Sequence, residues 1–231
     1  MKVLSITTSS SICGVSIIED FQILKETNLD SDLTHSQTLL NLIDTTLKEL
    51  NLKLSDIDLL SVDIGPGSFT GIRIGISTIK AFTDALNIPS IGVSSLEGLA
   101  KNCSKEGIIY SLIDAKHENI YCQAFQNNGN QISAISEPLF TNINSLIEII
   151  NSKYSKDSII FIGSGAISYK EQISQKVPSS IFIEENSLLA HNIGFAGVEH
   201  YNKNEVLDIQ PLYLKKSEAE LKLEEKQNGQ K

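Results

Sequence analysis

The run Asp63-Ile64-Gly65-Pro66-Gly67-Ser68-Phe69-Thr70-Gly71-Ile72-Arg73-Ile74-Gly75-Ile76 constrains this chain more than any other stretch. Ahead of it, Ile57 to Ile64 is an apolar run of strand length, broken by Asp58 and Asp63. Gly65-Pro66-Gly67 forces a tight turn, because proline fixes φ and glycine reaches positive φ on either side of it. Ser68 has the hydroxyl of a helix N-cap, and the pattern from Phe69 to Leu86 is helical. The unit reads strand, glycine turn, helix. Phe69, Ile72, Ile76 and Ile79 share one side of that helix, while Ile74, Ala81 and Ala85 fall on others. A helix apolar nearly all round is covered twice, once by the chain's own sheet and once by a further layer or another chain. Gly71 and Gly75 leave a groove where a second backbone can come close.

A glycine turn opening a helix also offers an anion its free N–H groups and the positive end of the dipole. Gly65, Gly67 and Gly71 do not make the dinucleotide spacing, since Thr70 stands at the third glycine, and no Gly-Lys-Ser/Thr follows. Spacing alone leaves both readings open, a closely packed turn or a phosphate cradle.

Around this unit the chain is organised as strands Val3–Thr7, Cys13–Ile18 and Phe21–Asn28, then a helix from about Thr34 to Leu50 with Leu39, Ile43 and Leu47 on one face. A strand at Ser90–Val93 follows the glycine unit, and Ser94 or Ser95 caps a helix from Leu96 to about Cys103. The order then begins again: strands at Ile108–Asp114, Ile120–Phe125 and Gln131–Ile135, a helix at Asn144–Tyr154, and a strand at Ser158–Ile162. Gly163-Ser164-Gly165 opens another helix. A helix from about Ser187 to Tyr201 and a strand over Val206–Leu214 close the pattern. Two βββαβα halves are therefore expected, residues 1–104 and 105–214, with the last helix and strand able to pack back on the first half. The charged segment 215–231 is expected to be a flexible tail.

Chemistry is sparse. Among 231 residues the net charge of −9 argues against this chain alone gripping nucleic acid. Cys13, Cys103 and Cys122 are odd in number and widely spaced, which fits reduced thiols and a cytoplasmic setting rather than a disulfide framework or zinc site. No run reaches membrane-spanning length, and no metal ligand set is legible. His35, His117, His191 and His200 are scattered, each better read as a capping or surface residue, with His35 near the start of the first long helix. Asp114, ending a buried-looking strand, is the best-placed carboxylate for metal or phosphate work. Its counterpart in the first half is Thr7, where a phosphotransferase would want an acid to orient metal-bound water.

Several stretches together resemble the TsaB (YeaZ) family of bacterial tRNA threonylcarbamoyladenosine synthesis: the anchor Gly65–Gly75, Ile6-Thr7-Thr8-Ser9, His35-Ser36-Gln37, and Ile91-Gly92-Val93-Ser94-Ser95-Leu96. Ile113-Asp114-Ala115-Lys116 with Ile120-Tyr121, and Pro211-Leu212-Tyr213-Leu214-Lys215, complete it. Thr7 stands where many relatives carry Asp, and Lys215 where they carry Arg. The resemblance implies an α/β fold, a duplicated ribonuclease-H-like architecture of the actin/Hsp70 ATPase type (ASKHA). It implies a non-catalytic scaffold and activator that pairs with its paralogue TsaD through the first two long helices, joined by the ATPase TsaE, and that forms a homodimer when alone. TsaD then modifies adenosine beside the anticodon of tRNAs reading codons that begin with A, tRNA being met mainly through the complex. No cofactor is expected in this subunit, with ATP, magnesium and metal on the partners. His35, Leu39, Ile43, Leu47, Phe69, Ile72, Arg73, Ile76 and Ile79 are the expected partner face. Gly65, Gly67, Ser68, Asp114, Gly163 and Gly165 are the expected remnant of a nucleotide site. The alternative is an independent ATPase or small kinase using Asp114 and the two glycine turns.

Overall fold

Along β1 (Lys2–Thr7) every residue from Val3 onward is buried, as a strand covered on both faces requires. Leu4 and Ile6 join one apolar core and Val3 another, so alternation has already assigned the two sides. The computed structural model in which this is seen describes residues 1–30, 35–154, 158–205 and 209–215. On one side β1 pairs antiparallel with β2 (Ile12–Glu19), and β2 with β3 (Gln22–Asp30). On the other it pairs parallel with β4 (Leu59–Asp63), followed by β5 (Ser90–Val93), giving the order β3-β2-β1-β4-β5.

The second sheet repeats this order. β6 (Gly107–Asp114) takes the place of β1, with β7 (Asn119–Asn127) antiparallel on one side. The place of the third strand is shared by β8 (Ile132–Ala134) and β9 (Leu139–Asn142), both antiparallel to β7. β10 (Ile159–Ile162) and β11 (Ser180–Phe182) run parallel on the other side. Two sheets of one order make the duplicated ribonuclease-H-like fold that the resemblance implies. β9 and β11 escape the sequence reading because four and three residues carry too little periodicity to register.

Helices α1 (His35–Glu49) and α2 (Phe69–Leu86) cover the Leu4/Ile6 face of the first sheet. α4 (Ile143–Lys153), α5 (Ser164–Ser168) and α6 (Lys170–Lys176) pack against the second. The helix expected after Gly163 is thus two short ones, parted at Tyr169. The remaining helices are exchanged. α3 (Ser95–Ala100), which follows the first sheet, packs on β6 and β7, while α7 (Ala190–Asn202), which follows the second, covers β1, β2, β4 and β5. Ser94 is the cap of α3, its hydroxyl accepting from Leu96 N–H at 3.2 Å, which frees Ser95 for another task. Thr34, residues 206–208 and the charged tail from 216 lie outside the described residues, and Ile209–Leu214 form no strand.

Two devices hold α7 in its exchanged place. Gly194 and Gly197 lie over Ser5 and Ser61, so close that a Cβ on Gly197 would stand 2.4 Å from Ser61 Oγ. That hydroxyl donates to the Ile193 carbonyl at 2.8 Å. At the far end Lys101, just past α3, pairs with Glu199 at 2.8 Å, and His200 bridges Glu97 of α3, 2.9 Å from Nε2, and Glu205, which contacts Nδ1. Gly197→Ala should therefore cost about 1–3 kcal/mol of unfolding free energy in urea, and less in a Ser61→Gly background, where the clash is relieved. Hydrogen bonding to Glu97 raises the His200 pKa above the ordinary histidine value of 6.5, against the opposing effect of burial. A raised pKa in the folded state means stability that is complete below about pH 6.5 and lost as pH climbs through the folded value. Melting temperature should accordingly fall as pH rises through this range, and His200→Gln should flatten that slope.

Candidate functional site

Asp63, the last residue of β4, is fully buried. Its Oδ2 accepts from Thr7 Oγ1 at 2.8 Å and from Ser9 Oγ, and its Oδ1 accepts from Ser95 Oγ at 2.5 Å and Gly65 N–H at 2.9 Å. Burial pushes the carboxyl above its ordinary range, against the pull of these four donors. In the sequence Asp63 stands out only as a break in an apolar run. A charged residue at an inward position of a strand buried on both faces was the available signal. Thr7 is thereby explained: with Asp63 2.8 Å away, a neutral donor satisfies the carboxylate where a second acid would repel it.

The Gly71/Gly75 groove admits a second backbone, as expected, but it is the chain's own β1–β2 turn. A Cβ on Gly71 would lie 1.8 Å from the Thr8 carbonyl oxygen, one on Gly75 2.6 Å from Thr8 Oγ1, and one on Gly67 2.4 Å from the Ser9 carbonyl oxygen. Thr8 Oγ1 donates to the Gly71 carbonyl at 2.7 Å, and Ser68 N–H donates to the Ser9 carbonyl at 2.7 Å. The Ser68 hydroxyl caps α2 by accepting from Gly71 N–H at 3.2 Å. His35 is held 2.8 Å from the Ser10 carbonyl oxygen. These residues of the expected nucleotide remnant and partner face therefore seat the β1–β2 turn on α2.

In the second sheet Asp114 does a related job. Its Oδ1 accepts from Lys116 N–H at 2.9 Å and the Tyr169 hydroxyl at 3.1 Å, and its Oδ2 from Lys116 Nζ and Ser168 Oγ, both at 3.3 Å. Burial alone would raise its pKa, but these donors hold it below the ordinary carboxylate value. Lys116, His117 and Glu118 all have positive φ, at 66°, 53° and 59°. Each such non-glycine residue costs about 1–2 kcal/mol, and the Asp114 carboxylate is what ties the loop. Gly163 and Gly165 let α5 approach β6: a Cβ on Gly163 would stand 2.3 Å from the Leu112 carbonyl oxygen.

Between the sheets lies a cleft of about 200 Å³ lined by Ser9, Ser10, Pro66, Leu99, Ile113, Ser164 and Asn186, among others. Both glycine turns border it, yet it is smaller than the ~300–1,000 Å³ usual for small-molecule and cofactor sites. Among the described residues no cluster of His, Cys, Asp and Glu could hold a metal ion, and no helix is long and apolar enough to cross a membrane.

The expected partner face is corrected by burial. Leu39, Ile43, Leu47, Ile72, Ile76 and Ile79 are at most 6% exposed and form the core between the first sheet and α1/α2. The broadest apolar stripe of each helix goes to the sheet, because the sheet offers the larger apolar area. Phe69 and Arg73 do face outward, with Leu40 of α1 at 56% exposure and the half-buried Ile74.

A family model described as TsaD, tRNA N6-adenosine threonylcarbamoyltransferase, matches residues 29–222. The tRNA threonylcarbamoyladenosine biosynthesis protein TsaB of Bacillus subtilis is 27% identical over 233 residues, covering 98% of this chain and all of that one. The solved structure of YeaZ from Pseudomonas aeruginosa superposes with a TM-score of 0.79 at 22% identity, over 92% of this chain and 99% of that one. The chain belongs to this family, among its TsaB (YeaZ) members. At 9% identity an activator of 2-hydroxyisocaproyl-CoA dehydratase from Clostridium difficile, solved with bound ADPNP, has the same fold with a TM-score of 0.51 over 90% of this chain and 99% of its own.

For this TsaB family member the Asp63 knot gives a direct test. Asp63→Ala strands four buried donors and should cost about 3 kcal/mol or more in urea unfolding. Asp63→Asn keeps an acceptor oxygen and should cost less. A loss under about 1 kcal/mol for the alanine variant would contradict this role.

Proposed function

We propose that this chain serves tRNA threonylcarbamoyladenosine biosynthesis as a non-catalytic scaffold that binds and activates the transferase TsaD, with the ATPase TsaE joining the pair. The observation that carries this reading is where the carboxylates that end β4 and β6 are spent. Asp63 is saturated by Thr7, Ser9, Ser95 and Gly65, and Asp114 by Lys116, Ser168 and Tyr169. A phosphoryl-transfer site needs a carboxylate with free oxygens to hold magnesium or water, and each of these has its oxygens engaged in holding a loop. The name of the Bacillus subtilis relative, matched end to end, supports the pathway. The outer surface of α1 and α2 is the proposed contact, with Leu40, Phe69, Arg73 and Ile74 replacing the buried anchors. The same surface pairs two copies when TsaD is absent, and tRNA is reached mainly through the complex.

Light scattering of the chain alone and mixed with its cognate TsaD tests this. The expected result is a homodimer that exchanges into a heterodimer and raises threonylcarbamoyl transfer by TsaD. Leu40→Asp should weaken both associations by about tenfold or more, since it places a charge at an apolar contact, while leaving the melting temperature unchanged. Ile76→Glu is unsuitable for this purpose, because a carboxylate in the core would unfold the chain. A monomer that ignores TsaD would defeat the proposal, and magnesium-dependent ATP turnover lost in Asp114→Asn would put the enzyme in its place.

A further inference from the structure

Arg73 is the only arginine in the chain, and it stands exposed on the outer surface of α2. Its guanidinium carbon lies 3.8 Å from the centre of the Phe69 ring, one helical turn back. Phe69 stacks on Tyr213 with ring centres 4.9 Å apart and planes inclined by 22°. Arg73 Nε donates to the Tyr213 hydroxyl at 2.8 Å. Tyr213 arrives on a return segment, residues 209–215, that is itself fastened to the same neighbourhood. Leu212 N–H donates to the Ile64 carbonyl at 2.8 Å, and Ile209 packs into the core beneath α1 and α2. One ring face, one hydroxyl and a pinned backbone thus set the guanidinium plane.

An arginine with Nε engaged keeps its two terminal nitrogens, the pair that grips a carboxylate end-on through two parallel hydrogen bonds. Among the described residues five of thirteen lysines, Lys2, Lys25, Lys48, Lys101 and Lys116, have a carboxylate partner. Arg73 has none among them. Its partners are aromatic and a hydroxyl, which orient the charge without neutralising it. The geometry points to Arg73 as a preorganised receptor for a carboxylate on the protein that docks against α1 and α2, with the return segment as the element that holds it ready. This rests on the reading of that surface as the partner face. Holding the side chain in place beforehand removes much of the rotamer entropy that an exposed arginine loses on binding. A protein carboxylate fits better than RNA. Neutralising a phosphate backbone takes several cations in succession, whereas α2 carries only one other, Lys80, in a chain of net charge −9.

The test is calorimetric titration of the full-length chain with TsaD, using the wild type, Arg73→Ala, Arg73→Lys, Tyr213→Phe and Leu40→Asp, with each variant's melting temperature checked. Arg73→Ala should weaken binding about tenfold or more, the worth of a charge-assisted hydrogen-bonded pair. Arg73→Lys should recover only part of that, because an ammonium lacks the fork. Tyr213→Phe keeps the stack, loses the orienting hydroxyl and should weaken binding about threefold. One aspartate or glutamate of TsaD, changed to alanine, should have no further effect once Arg73 is alanine. If Arg73→Ala binds within twofold of wild type while Leu40→Asp does not bind, the receptor falls and the partner face stands. If Arg73→Lys equals wild type, recognition by the fork is wrong. If Arg73→Ala weakens tRNA binding and leaves TsaD binding intact, the ligand is RNA and the inference is overturned. Failure of the wild type to bind TsaD at all brings down both readings.

Discussion

The carboxylate of Asp63 is the point on which the rest of the molecule turns. A buried charge costs several kcal/mol unless its hydrogen-bonding capacity is filled, and here the donors come from four separate places: the end of β1, the β1–β2 turn, the glycine turn and the start of α3. One side chain therefore fixes where these segments meet. The β1–β2 turn, anchored through Ser9, is laid along α2, and this contact is what Gly67, Gly71 and Gly75 exist to permit. α3, anchored through Ser95, then carries the chain across to the second sheet. Four segments of the chain thus meet at a single buried side chain.

Much of this was legible in the sequence, and what was missed follows a pattern. α2 spans Phe69–Leu86 as read, because proline, glycine and a serine cap mark its start without ambiguity. The doubled strand order was legible because each half repeats the same succession of short apolar runs. β8 is legible within Gln131–Ile135, but its companion β9 is not, since four residues are too few to show alternation. Periodicity likewise says that a helix has two apolar sides but not which one meets the sheet. Leu39, Ile43, Ile72 and Ile76 were for that reason assigned outward and proved to be core. The glycine groove was read correctly as a close approach, but its occupant lies some 60 residues earlier in the chain, and no local pattern carries that information. Asp63 was hidden in the same way: its meaning lies in hydroxyls contributed by Thr7, Ser9 and Ser95, which are ordinary turn and strand residues when read singly.

The cleft shows how one scaffold comes to different ends. A structural neighbour with 9% identity keeps the fold and was solved with a nucleotide analogue. In this chain the glycines of both turns admit backbone, Asp63 and Asp114 tie loops, and a space of about 200 Å³ lies between the sheets. The outer surface of α1 and α2 is defined by a projecting Leu40 and a stacked Phe69–Tyr213 pair beneath the one arginine.

The exchange of α3 and α7 has a consequence for synthesis on the ribosome. The first sheet is finished once β5 is made, near residue 93, yet the helix that covers its second face spans residues 190–202. For about 100 residues of elongation Val3, Ile18, Leu59 and Ile91 have no permanent cover. Apolar surface left open in this way is what attracts chaperones and invites misassembly. The contact that finally closes it joins β1 to a helix about 190 residues further on, a separation of the kind that slows folding. Chains truncated before α7 should accordingly be found with chaperones rather than as a free first half.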